Sequence, residues 1–278
     1  MTFIDEIRLA DFSSKIVILM NPSTPHESYN LDIQTPVGDL TASVAVPTGF
    51  IPLTDILPLL RSLGEQAHQL AIDNTSQGGA TISCQKGCAA CCRMMIPVAP
   101  PEAFALLSVV EALPSPKKER LLERFQAAQK TLRETGLEDG LQRLAFSEDQ
   151  GTDEELEPLN RAYYALRMPC PFLEDEICSI YEQRPSACRE LLVTSPAELC
   201  QDLIRNPIQL IPSPFRIGTV LSKLWADCYQ GPVRLIPLPF ALDWAKVRKS
   251  QNTRTWAGPE LLSRALDAAA QFLQRQSP

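Results

Sequence analysis

The sequence predicts a mainly α (α+β) protein: a helical cysteine-cluster domain with a small N-terminal β-rich segment. Three observations carry this. Apolar residues recur at helical spacing over long stretches, as Leu121, Leu122, Phe125, Ala128 and Leu132 do. Strict alternation is confined to residues 1–50. Eight of the nine cysteines fall in two short blocks embedded in the helical part.

Taken in order, residues 14–20 hold the apolar run I-V-I-L-M. Residues 29–36 and 40–46 flank V-G-D, and the second reads L-T-A-S-V-A-V, which predicts a hairpin. Thr54 reads as the N-cap of a helix over 55–71, with Pro58 in its first turn. The N-T-S-Q-G-G of 74–79 reads as a loop leading into the first cysteine block. Pro101 followed by Glu102 opens another helix, with the acid at the positive end of its dipole. Ser115 and Pro116 open a long one that runs to about Phe146, with a break at Gly136 or Gly140. The acidic segment 147–155 reads as solvated, and 156–166 as helical. A small hairpin is expected between Cys170 and Cys178, and Arg184-Pro185 should start a helix carrying Cys188 and Arg189. Helices follow over 217–228, 240–249 and 259–274. No Pro/Gly/Ser linker separates independent domains, so the β-rich segment 1–50 and the helical body 51–278 are expected to form one compact unit.

Composition narrows the function. The net charge of −7, with no basic patch to offset it, excludes nucleic acid as a partner. No apolar run approaches the roughly 18 residues that span a bilayer, so no membrane is expected. Acids at Asp5, Glu6 and Asp11 stand where a signal peptide would be basic and then apolar, which points to the cytoplasm. Thiols stay reduced there, and clustered reduced cysteines read as ligands rather than disulfides.

The first block is S-C-Q-K-G-C-A-A-C-C-R, with Cys84, Cys88, Cys91 and Cys92. On a helix these positions share one face; on a turn relaxed at Gly87 and followed by a helix they still converge. The second block supplies Cys170, Cys178, Cys188 and Cys200. All eight are candidate metal ligands, and the two blocks should meet in space. Cys228 stands apart and reads as structural. Eight thiolates exceed one tetrahedral zinc, so two zinc or iron sites or an iron–sulfur cluster are expected, with 4Fe–4S favoured. Adjacent Cys91 and Cys92 would diverge by about 100° on a helix and so reach different metals. Arg93, Arg184 and Arg189 flank cysteines and are candidates to balance thiolate charge. Met94, Met95 and Tyr181 read as packing, and His26 and His68 as surface histidines.

The run C-x3-C-x2-C-C, then C-P-F-L, then C-x-I-Y-x-x-R-P-x-x-C-R and one further Cys, resembles the YkgJ family. That family is a zinc- or iron-chelating domain with a C-x2-C-x2-C-C signature, and includes flagellin lysine N-methylases. The first gap here has three residues rather than two, which shifts Cys84 by one position. The resemblance covers residues 84–200 and implies metal or cluster binding by the eight cysteines. Its enzymatic members imply an alternative, a metal-dependent methyltransferase acting on a protein substrate. C-x3-C-x2-C is also the spacing of radical S-adenosylmethionine enzymes. Here Ala90 replaces the usual aromatic, and no strand–helix alternation follows to build their barrel. A cleft beside Cys84–Cys92 would favour an enzyme, and a closed centre a structural, sensing or electron-transferring role.

Overall fold

The computed structural model describes residues 25–148, 153–203 and 205–276. The apolar run of 14–20 lies outside the described residues. What is described is mainly helical, with short strand pairs between the helices.

The hairpin forms as alternation requires. Strand β1 (His26–Thr35) pairs antiparallel with β2 (Gly38–Pro47), with Thr35 opposite Gly38. Leu40, Ala42, Val44 and Val46 face the core, and Thr41 and Ser43 face solvent. Strand β3 (Phe50–Pro52) then leaves the hairpin and pairs with β8 (Thr255–Ala257), joining the segment after the hairpin to the segment before the last helix. The next helix does not start at a Thr54 cap. A 3-10 turn (Leu53–Ile56) leads directly into α1 (Leu57–Gln77), and Thr54 sits inside that turn. The α1 helix also absorbs 74–77, expected as loop. Asn74 extends its last turns by donating from its side chain to the Val37 carbonyl of the hairpin.

Helix α2 (Pro100–Glu111) is apolar nearly all round and is correspondingly buried. It is covered by α7 (Ile217–Tyr229) and α8 (Leu238–Val247). Phe104 of α2 packs against Trp225 and Trp244 with ring centroids 5.5 and 5.4 Å apart. Helices α3 (Ser115–Glu134) and α4 (Glu138–Phe146) are separated at Gly136, whose φ of +74° suits glycine. Helix α5 (Asp153–Ala165) begins three residues earlier than the pattern suggests. Helix α9 (Gly258–Gln276) closes the body. One hydrophobic core runs from Leu31 of the hairpin to Ala269 of α9.

Two small strand pairs frame the cysteines. Strand β4 (Pro97–Val98) pairs with β7 (Ile236–Pro237), tying the exit of the first block to the start of α8. Strands β5 (Leu173–Glu174) and β6 (Ile177–Cys178) form the hairpin of the second block. Among the described residues no helix is long and apolar enough to cross a membrane. The short strand pairs there build no barrel.

Candidate metal centre

The first block is not a helix. Residues 81–85 are irregular, and Lys86 and Gly87 form a turn in which Gly87 adopts φ +94°. A 3-10 turn over Ala90–Arg93 follows and carries Cys91 and Cys92. Of the two geometries the spacing allows, the chain takes the relaxed turn, because a left-handed residue between Cys84 and Cys88 cannot continue a helix.

Backbone hydrogen bonds clamp the second block onto the first. The Cys170 amide donates to the Cys92 carbonyl at 2.7 Å, and the Ser83 amide to the Val193 carbonyl at 3.0 Å. In the β5–β6 hairpin, Asp175 and Glu176 occupy left-handed conformations (φ +48° and +61°), the form a two-residue hairpin turn demands. Arg93 fastens that turn to the first block. Its guanidinium donates to both carboxylate oxygens of Glu176, at 2.6 and 3.1 Å, and to the Ala89 carbonyl at 3.1 Å. Pro185 precedes the short helix α6 (Ser186–Glu190), which presents Cys188.

Side chains from both blocks line two cavities. The larger, about 120 Å³, is lined by Cys88, Cys91, Cys92, Cys170, Cys178 and Cys188, with Tyr181 and Arg184. The smaller, about 20 Å³, is lined by Cys84, Cys88, Cys91 and Cys200. Cys88 and Cys91 line both. All eight candidate ligands therefore border one of two cavities that share two thiols. Cys228 lies elsewhere, buried on α7.

All nine cysteines are free thiols. Burial pushes Cys170 up to about 12 and Cys188 well above its ordinary value, each reinforced by neighbouring thiols. Cys91 is pushed up by the adjacent Cys92 thiol and by burial. Instead of diverging, Cys91 and Cys92 lie side by side on the 3-10 turn. Arg184 is the opposing charge: it favours the thiolates of Cys91 and Cys178. Its guanidinium sits 3.8 Å from the Tyr181 ring centroid. Arg189 plays a different part, bonding Glu65 and the carbonyls of Glu182 and Arg184.

Among the described residues, no three or more His, Cys, Asp or Glu side chains form a group that could hold an ion as they stand. The fit to a metal rests on donor chemistry and on two shared cavities, not on a finished coordination shell. Soft thiols predominate among the groups that could ligate, with Glu176 the one carboxylate lining the larger cavity.

Residues 83–202 match the CxxCxxCC family model, described as a "putative zinc- or iron-chelating domain". This stretch of the chain is similar to the CxxCxxCC domain. The match supports metal binding, by zinc or iron. The match begins one residue before Cys84 and ends two after Cys200, so it takes in all eight clustered cysteines. No curated protein and no solved structure matches the chain.

Two further residues depart from the sequence reading. His68 is buried, 6% exposed, on the core side of α1. The signal for this was present: Leu57, Leu60, Gly64, Ala67 and Ala71 recur at helical spacing, and His68 falls in the same stripe. Glu102 is the residue whose reach sequence reasoning missed. It is fully buried, and its Oε1 accepts from Arg61 at 3.0 Å, the Ser186 amide at 2.7 Å and the Ser186 hydroxyl at 2.8 Å. Its Oε2 accepts from the Ala99 amide at 3.3 Å. The helix-start pattern at Pro101-Glu102 gives the last contact; the long-range ones fix the start of α6 and hence Cys188.

Proposed function

We propose that Cys84, Cys88, Cys91, Cys92, Cys170, Cys178, Cys188 and Cys200 form one composite thiolate centre. Its resident group is an iron–sulfur cluster, 4Fe–4S in preference; the other loading is zinc or iron ions in two adjoining sites. The observation that carries this reading is the double membership of Cys88 and Cys91, which line both cavities and join the two blocks. A single tetrahedral ion takes four donors at about 2.3 Å. Eight thiols spread round two cavities exceed that, whereas a cluster distributes its ligands over several irons. When bound, such a group supplies electron storage and, at an iron with an open position, Lewis acidity. The chain's own residues hold the thiols, set Arg184 against them and cover them with Tyr181 and Met94. Nine free thiols suit a reducing compartment such as the cytoplasm. Anaerobic purification followed by metal and acid-labile sulfide analysis tests the reading. Iron with matching sulfide supports the cluster; zinc or iron without sulfide supports ions; neither metal overturns the centre.

A second reading has its own observation. A cleft of about 870 Å³ is lined by Met94, Met95 and Pro97, which also line the larger cysteine cavity. A cleft of that volume beside the thiols favours an enzyme over a sealed structural centre. The chemistry implied by the family resemblance is methyl transfer to lysines of a protein substrate. With S-adenosylmethionine supplied as the labelled methyl donor and leaving as S-adenosylhomocysteine, label appearing on flagellin lysines with metal-loaded protein, and not with a Cys91→Ser variant, would support it. No transfer by fully loaded protein would exclude it.

A further inference from the structure

A polar pocket lies away from the thiols, where α7 and α8 both end. Its volume is about 460 Å³, inside the range of roughly 300–1,000 Å³ for small-ligand sites. None of its lining residues borders either thiol cavity or the cleft beside them. Three arginines line it: Arg234, Arg248 and Arg254. Arg234 is committed, donating to the Leu144 carbonyl at 3.0 Å and to the Ser147 carbonyl at the end of α4. The other two are not. The Arg248 guanidinium lies 4.9 Å from the Trp244 ring centroid, and that of Arg254 lies 4.7 Å from Tyr229 and 5.3 Å from Trp256. These contacts hold the guanidinium groups in place and leave their N–H edges unspent. Neither side chain has a hydrogen-bond or carboxylate partner among the described residues. Neither is sealed off, since Arg254 is exposed and Arg248 half-buried.

Glu148 is the one acid in the lining, and it forms no ion pair with these arginines. The negative ends of α7 and α8 account for part of the positive charge gathered here, about half a unit each. They do not account for Gln230. That residue caps α7 in the left-handed conformation, with φ +52° and ψ +43°, although Gly231 stands next to it. A side chain strains that conformation, which is why glycine is the usual residue there. Gln230 lines the pocket together with Ser250 and Gln251. The side-chain amides and hydroxyl of these three have no hydrogen-bond partner among the described residues. Two free guanidinium edges thus stand beside three neutral hydrogen-bonding groups.

We infer that this pocket binds a phosphate monoester carried on a small hydroxylated body. Arg248 and Arg254 take the phosphate, whose oxygens match the fork of N–H groups on a guanidinium edge. Gln230, Ser250 and Gln251 take the hydroxyls, since amides and hydroxyls both donate and accept. Arg234 adds positive charge without a contact of its own. A phosphate monoester brings nearly two negative charges at neutral pH, one for each unpaired guanidinium, where a carboxylate brings one. The volume leaves room for more than the phosphate group itself. The inference is independent of the thiol centre and of what that centre holds.

The test uses the full chain as purified, in Tris chloride. All three tryptophans of the chain, Trp225, Trp244 and Trp256, line the pocket or lie against Arg254. Tryptophan emission therefore reads the site in the wild type without relying on any variant. Calorimetry should give one-site binding of ribose 5-phosphate, weaker binding of inorganic phosphate and none of ribose, with emission changing as the ester saturates. Arg254→Gln, at an exposed position, should fold normally and weaken ester binding about tenfold. Glu148→Gln removes the one acid in the lining and should tighten it severalfold. Gln230→Gly should raise Tm by relieving the left-handed residue and still weaken binding severalfold, a pairing that a purely structural residue would not give. Inorganic phosphate binding as tightly as the ester would overturn the hydroxylated body. Binding of neither phosphate compound, or ester binding that leaves the emission and all three variants' affinities unchanged, would overturn the site.

Discussion

Cys91 borders both thiol cavities, and its thiol interacts with those of both blocks. Cys91→Ser should therefore lose most of the metal, as should Cys88→Ser. Cys228→Ser, at a buried site remote from the cavities, should keep it; metal analysis of the three variants checks this. The raised thiols also set a direction with pH. At neutral pH, Cys170 and Cys188 are protonated in the metal-free protein, and each must give up its proton to bind. Zinc affinity, measured by chelator competition, should rise from pH 6.5 to 8.5, with protons released on binding; equal affinities would contradict neutral thiols. His68 runs the other way in stability. Burial lowers its folded pKa below the unfolded value of 6.5, so below that pH the unfolded chain binds the extra proton. Stability is lost as pH falls through about 6.5. The drop in Tm from pH 7.5 to 5.5 should be smaller in His68→Leu than in the wild type, and an equal drop would mean that His68 does not titrate on unfolding.

At the scale of elements, two glycines separate the centre from the frame. Gly87 has no neighbouring atom within 4 Å of a built Cβ, so a side chain there meets only its φ of +94°. Gly87→Val should cost about 1–3 kcal/mol through the backbone alone and lower metal content, because the turn sets Cys84 against Cys88. At Gly258 a Cβ would lie 1.8 Å from the Pro47 carbonyl oxygen, where α9 meets the hairpin. Gly258→Ala should destabilise by about 1–3 kcal/mol and leave metal content unchanged. Denaturation curves with metal analysis on both variants separate the two effects. The elements themselves were largely legible. The hairpin follows from alternation, and the break at Gly136 from a residue that tolerates left-handed backbone. Thr54 failed as a cap because the 3-10 turn at Leu53–Ile56 already supplies the entry to α1. The end of α1 was hidden because the bond from Asn74 to Val37 spans two distant segments.

Across the whole molecule, the hairpin shares a single core with the helices, and β3–β8 ties residue 50 to residue 257. Cysteine spacing could demand that the blocks meet but not say how. The clamps are main-chain bonds such as Cys170 to Cys92, which carry no side-chain signature. The buried Glu102–Arg61–Ser186 network was equally hidden, since it joins three segments far apart in sequence. Because the centre fastens residues 84–200, metal removal should loosen that region and spare the β1–β2 hairpin, whose core contacts are with α1 and α9. Hydrogen exchange before and after chelation should show protection lost around residues 168–200 and kept in β2; uniform loss would mean that metal holds the entire fold.

The most direct test of the composite centre compares metal and acid-labile sulfide in anaerobically purified wild type, Cys88→Ser from the first block and Cys188→Ser from the second. A shared centre predicts that either substitution strips metal from the whole protein, with protection lost over residues 168–200 in both. If Cys88→Ser kept full metal content and unchanged protection, the two blocks would not be one site.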